Sequence, residues 1–224
     1  MLVIYACDVG SIRLGNFAWA RLVYARDRRD PSGGKSIDEC ARWINGDLAD
    51  LTRTVAIGME CPTYLCIPNF SERLGCGRPN ESSRSTYATA GGYVATLGLQ
   101  QFAYLLSQLE RGSRSPIVNW RDWTPDSTKD ILLWEAFVSG EVVHANTSDH
   151  LRDAATAVVG FAKILDNGKP STALGDSGES VLSLMGSAVL WAGWSNDVSR
   201  WIHADMLVVK PTEQFAGDIP EYTV

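Results

Sequence analysis

The chain has 224 residues, 45% hydrophobic and 21% charged, which is ordinary globular composition and enough length for one large or two small domains. A formal net charge of −6 argues against a chain drawn onto nucleic acid by its overall field, although a local basic loop remains compatible with it. The most apolar late segment, 181–194, is interrupted by Ser183, Gly186, Ser187 and Gly193 and is shorter than the ~20 residues that span a bilayer, so no membrane association is expected.

In chain order, Leu2-Val3-Ile4-Tyr5-Ala6-Cys7 has the length and apolar continuity of a buried strand, ended by Asp8 and a turn at Gly10. Residues 16–24 read as a second strand, antiparallel to the first across a Gly-containing hairpin turn. Residues 27–35 are charged and rich in Gly and Pro and read as loop. Ser36 with Glu39 forms a capping-box pattern, opening a helix to Asp50 that turns Ile37, Cys40, Ala41, Ile44 and Leu48 inward. Residues 54–60 form the next strand, ending at Glu60. The polar stretch 62–90 reads as a long, mobile loop, and a loop of that length is usually functional.

A helix is expected over 94–111 and a strand over 131–137. An amphipathic helix is expected over 148–166, capped by Ser148 and stopped at Asn167-Gly168. A Gly/Ser-rich linker, a core helix over 179–194, a short strand at 206–209 and a tail at 212–224 complete the chain. The order β-β-α-β-α-β-α-α-β makes residues 1–224 a single α/β domain with a mixed sheet flanked by helices.

Chemistry-bearing residues fall at strand ends. Asp8 and Glu60 end apolar runs, and Glu135 follows Ile131-Leu132-Leu133-Trp134. Ligands of open α/β sheets bind outside the carboxyl ends of the strands. Asp149 and Asp153 stand four apart near a helix start, with His150 three before Asp153, so they share a face. Asp149 fits the helix dipole alone, whereas Asp153 is followed at once by Ala154, Ala155, Val158 and Val159. Asp8, Glu60, Glu135 and Asp153 are therefore the candidate ligands and catalytic groups for Mg²⁺ or Mn²⁺, with Asp149 or His150 as a further ligand. Arg73, Arg78 and Arg84, in the loop after Glu60, form a candidate clamp for substrate phosphates.

The five cysteines are an odd number, and the N-terminus lacks a basic leader, so a reducing cytoplasm is expected. Cys61-x4-Cys66 with Cys76 lacks a fourth zinc ligand nearby. Gly34-Lys35-Ser36 resembles the end of a P-loop, but Arg29 stands where its first glycine belongs. Trp120 and Trp123 flank Arg121 in a polar loop, where core packing is a commoner role than base stacking.

Cys7-Asp8-Val9-Gly10-Ser11, Ile57-Gly58-Met59-Glu60-Cys61-Pro62, Glu135 after an apolar strand, and Asp149-His150-Leu151-Arg152-Asp153-Ala154 occur in the order seen in the RNase H-like superfamily. The chain resembles a bacterial group of predicted RNase H-like nucleases, kin to RuvC-type resolvases. The resemblance implies a mixed five-stranded sheet whose first three strands are antiparallel, and a metal-dependent nuclease acting on nucleic acid. In it Asp8, on the central strand, would bridge the ions. Between residue 24 and Glu60 the residues themselves show no third strand. Two alternatives stand beside this reading: a non-catalytic scaffold or partner-binding module of the same fold, and a nucleotide-binding relative of the actin-like ATPases, whose first phosphate loop Asp8-x-Gly10-Ser11 also matches.

Overall fold

The structure, a computed structural model, describes residues 1–26, 29–78, 81, 90–110, 117–127, 130–138, 149–168, 170–174 and 178–222. Its elements are β1 (Leu2–Asp8), β2 (Ala18–Val23), β3 (Ser32–Gly34), α1 (Ile37–Ala49), β4 (Thr54–Glu60), β5 (Tyr64–Ile67) and α2 (Ala90–Gln108). There follow β6 (Ile117–Val118), β7 (Ile131–Ala136), α3 (His150–Asp166), β8 (Ser180–Ser183), α4 (Leu184–Trp191), α5 (Val198–Ile202) and β9 (Leu207–Val209).

The main sheet has the order β3-β2-β1-β4-β7-β6, with β9 also paired to β7. β1, β2 and β3 form an antiparallel meander, whereas β4, β7, β6 and β9 run parallel to β1. The protein is thus a mixed α/β structure with a mostly parallel sheet flanked by helices. No described helix is long and apolar enough to cross a membrane.

β1 and β4 are central because their apolar runs have both faces to bury. Val3, Tyr5, Cys7, Val55, Ile57 and Met59 face a core closed by α1, α2 and α4. Leu2, Ile4, Ala6 and Ala56 face the opposite core, closed by Ala154, Ala155, Val158 and Phe161 of α3. The small residues on both sides of that second core bring α3 close to the sheet. Gly58 belongs to the same close approach: a Cβ there would lie 2.3 Å from Cε2 of Trp134, whose indole crosses the strand.

Several sequence expectations are corrected. The third strand lies inside the segment read as loop, at Ser32–Gly34, and pairs with Trp19–Arg21. Its glycines are there for clearance, since a Cβ on Gly33 would stand 2.0 Å from the Trp19 carbonyl oxygen. The stretch 62–90 is not loop throughout. β5 within it pairs with β8 in a separate antiparallel ribbon, so the helix expected from residue 179 begins only at Leu184. The Ser183 hydroxyl caps that helix by accepting from the Gly186 amide. The first described cap of α3 is Asp149, which accepts from the Arg152 amide; Ser148 lies outside the described residues. The tail does not hang free, because Pro220 and Tyr222 pair with Gly33 at the edge of β3.

Candidate functional site

The parallel register of β1 and β4 sets Asp8 beside Glu60. Side chains alternate along a strand, so both carboxylates continue the face of Ile4, Ala6 and Ala56 toward α3, beyond the end of the apolar core. The first turn of α3 meets them there. The imidazole Nδ1 of His150 is hydrogen-bonded to Oδ2 of Asp8 at 2.5 Å. Asp153, three residues later, adds its charge to both strand carboxylates. Asp8, Glu60, His150 and Asp153 therefore form one cluster at the carboxyl end of the sheet.

The electrostatics of this cluster are those of crowded anions. Burial pushes the Asp8 carboxyl up to about 7; the charge of Asp153 pushes the same way, and His150 opposes it. Glu60 is held well above the usual carboxylate range by burial and then by Asp8 and Asp153. Asp153 is raised by burial and by Asp149, against His150 and Arg152. Among the described residues, Oε2 of Glu60 and Oδ1 of Asp153 are buried and have no hydrogen-bond partner. Buried acceptors are almost always paired, so two orphans in one cluster mark a place where a proton or a cation belongs. As the side chains stand, no group of three or more His, Cys, Asp or Glu among the described residues is arranged to hold a metal ion.

Glu135 is not brought to this cluster. β7 pairs Glu135 with Met59 rather than with Glu60, which places it on the opposite face of the sheet. It is 1% exposed and fully bonded. Its Oε2 accepts from the Thr63 amide at 2.9 Å, the Thr63 hydroxyl at 2.7 Å and Arg78 Nη1 at 2.7 Å, while Arg78 Nη2 reaches Oε1 at 2.5 Å.

Two of the three arginines of the expected clamp are engaged by other carboxylates. Arg78 is 4% exposed, bonded to Glu135 and Glu81, and lies over the Tyr64 ring. Arg73 is exposed and paired with Glu179, and Arg84 lies outside the described residues. Asp149 caps α3 and holds the Arg152 guanidinium, so its carboxylate is taken up locally. Trp123 is buried in the α3-side core, and Arg121 lies over Trp120 and pairs with Asp205, in keeping with packing roles.

One residue that the sequence places on the 94–111 helix face with Leu97, Tyr104, Leu105 and Leu109, without a site role, supports the site from behind. Gln101 of α2, 4% exposed, donates to the Gly10 carbonyl at 2.6 Å, two residues after Asp8. Its signal was a lone amide on an otherwise apolar helix face.

Comparison with protein-family models, with curated proteins and with solved structures returns no match.

Proposed function

We propose that the chain is a metal-dependent phosphodiesterase of RNase H-like fold, a nuclease, with Asp8, Glu60, His150 and Asp153 as its site. The observation that carries this reading is the pair of orphaned buried oxygens, Glu60 Oε2 and Asp153 Oδ1, beside an Asp8 held near neutrality at the end of two parallel strands. The antiparallel meander of β1, β2 and β3 supports the reading, since the resemblance implies three antiparallel first strands, although the sheet has seven strands where the resemblance implies five.

The donor set fits Mg²⁺ or Mn²⁺ in chemistry: carboxylate oxygens suit both, and an imidazole favours Mn²⁺. Asp8, Glu60 and Asp153 would hold the ion, with His150 as a fourth donor once it releases Asp8. When bound, a divalent ion supplies positive charge for the phosphate oxygens and lowers the pKa of a coordinated water. The residues themselves orient it: two carboxylates fixed by strand register and two side chains fixed by one helical turn.

Calorimetric titration of Mn²⁺ into wild type and Asp8→Asn is the test. Saturable binding is expected in the wild type and its loss in the variant, together with loss of metal-dependent cleavage of DNA or RNA. Equal binding in both proteins refutes the site.

A second reading rests on the His150–Asp8 hydrogen bond. A carboxylate on Nδ1 leaves Nε2 available as a base, the arrangement of hydrolytic His–Asp pairs. That reading requires hydrolysis that survives a metal chelator and is lost in His150→Gln.

A further inference from the structure

We infer that the C-terminal segment 211–222 is a positioning strap for the site, acting on the first turn of α3 through Arg152. The segment follows a single stripe of α3. Pro211 lies against Gly160, where a Cβ would come within 2.9 Å of its ring. Glu213 pairs with Lys163, and the Phe215 amide donates to the Thr156 hydroxyl at 3.1 Å. Arg152 Nη1 donates to the carbonyls of Phe215 at 2.9 Å and Gly217 at 3.3 Å. Positions 152, 156, 160 and 163 are three or four apart, so they share one side of the helix.

Beyond Gly217 the segment crosses to the sheet edge. Pro220 accepts from the Gly33 amide at 3.1 Å, and the Tyr222 amide donates to the Gly33 carbonyl at 2.8 Å. The Tyr222 ring stacks on Trp19 at 5.9 Å and leans on Trp43 at 4.4 Å.

This route matters because the first turn of α3 has little packing of its own. Ala154, Ala155 and Val158 are pinned to the sheet core, but His150 and Asp153 stand at the polar end, where Leu151 is the one buried apolar side chain of the turn. The two other side chains of that turn both lead to the strap. Arg152 is bonded to it directly. Leu151 packs on Gly33, where a Cβ would meet its Cδ1 at 2.8 Å, and Gly33 is the residue the strap pairs with. Groups that orient metal ligands from behind set affinity even though they never touch the ion.

The Mn²⁺ part of the test rests on the function proposed above; the spectroscopic part does not. Arg152→Leu cuts the link at the site end while the Arg152 amide still meets the Asp149 cap. Tyr222→Ala loosens the far anchor without touching α3. In metal-free protein, both variants are expected to shift or broaden the imidazole NMR resonances of His150 and to leave those of His203 in place. Both are expected to weaken Mn²⁺ binding about tenfold. Wild-type His150 resonances in both variants, with amide exchange showing the Gly33–Tyr222 pairing released, overturn the strap. If the wild type binds no Mn²⁺, the proposed function falls, and the strap is judged on the His150 resonances alone.

Discussion

Gly58 links the core to the site at the level of a single atom. It lies between Ala6 and Trp134 on the α3-facing side, and the Trp134 indole occupies the space a side chain would need. That indole in turn stacks on Phe161 of α3, with ring centroids 4.7 Å apart. A methyl at position 58 therefore pushes Trp134 into the helix that carries His150 and Asp153. Gly58→Ala is expected to lower stability by about 1–3 kcal/mol, the usual cost of overpacking a close-packed core. Urea unfolding measures this directly. The double variant Gly58→Ala/Trp134→Leu should recover part of the loss, because the obstructing ring is gone; a double variant as unstable as the sum of its singles rejects the contact as the cause.

At the level of elements, Glu135 shows how one position in a strand decides between chemistry and architecture. β7 continues through Ala136, so Glu135 is not its last residue, and the register places it level with Met59. There it faces the opposite core and ties the segment after β4 to the sheet through Thr63 and Arg78. Glu135→Gln leaves a buried guanidinium with Glu81 as its remaining anionic partner among the described residues, and an expected loss of about 3 kcal/mol follows, at the low end for a broken buried pair. The folded variant should bind Mn²⁺ as the wild type does; lost binding would return Glu135 to the site.

The difference between Glu60 and Glu135 was only partly legible in the sequence. Apolar runs marked β1, β4 and β7, and the Ser36-x-x-Glu39 signal marked α1, because local pattern determines those elements. The strand expected over 131–137 already ran past Glu135, but the face of that side chain is set by the register with β4, which leaves no mark in the local sequence. β3, β5 and β8 escaped because their strand character comes from partners distant in sequence: Gly33 and Gly34 read as turn chemistry until Trp19 is seen against them. Pairing between Tyr64–Ile67 and Ser180–Ser183 likewise leaves no local mark.

For the whole molecule, the cluster opposes folding whenever it must be ionised without a counter-ion. Asp8 is raised from 3.8 to about 7, so the folded state keeps a proton that the unfolded chain releases. Its stabilising contribution is complete below the ordinary carboxylate value and is lost as pH rises through about 7; Glu60 and Asp153, also raised, act in the same sense. Asp47 works in the opposite direction. Burial alone would raise its carboxyl, but hydrogen bonds from Arg21, Tyr5 and Arg53 outweigh that and hold it below its ordinary value. Its contribution is present above that value and is lost as pH falls. Metal-free protein should therefore be most stable in mildly acid solution and weaken toward pH 8. The displacement at Asp8 alone corresponds to roughly 4 kcal/mol. Asp8→Asn removes the charge that must be buried, so its melting temperature at pH 8 should exceed that of metal-free wild type and vary less between pH 5.5 and pH 8. If a divalent ion is the natural counter-charge, Mn²⁺ should raise the wild-type melting temperature more at pH 8 than at pH 5.5, where protons compete for the same oxygens. Thermal melts at the two pH values, with and without Mn²⁺, separate the possibilities: a wild type whose metal-free stability rises from pH 5.5 to pH 8 would mean that the carboxylates are not crowded enough to retain protons.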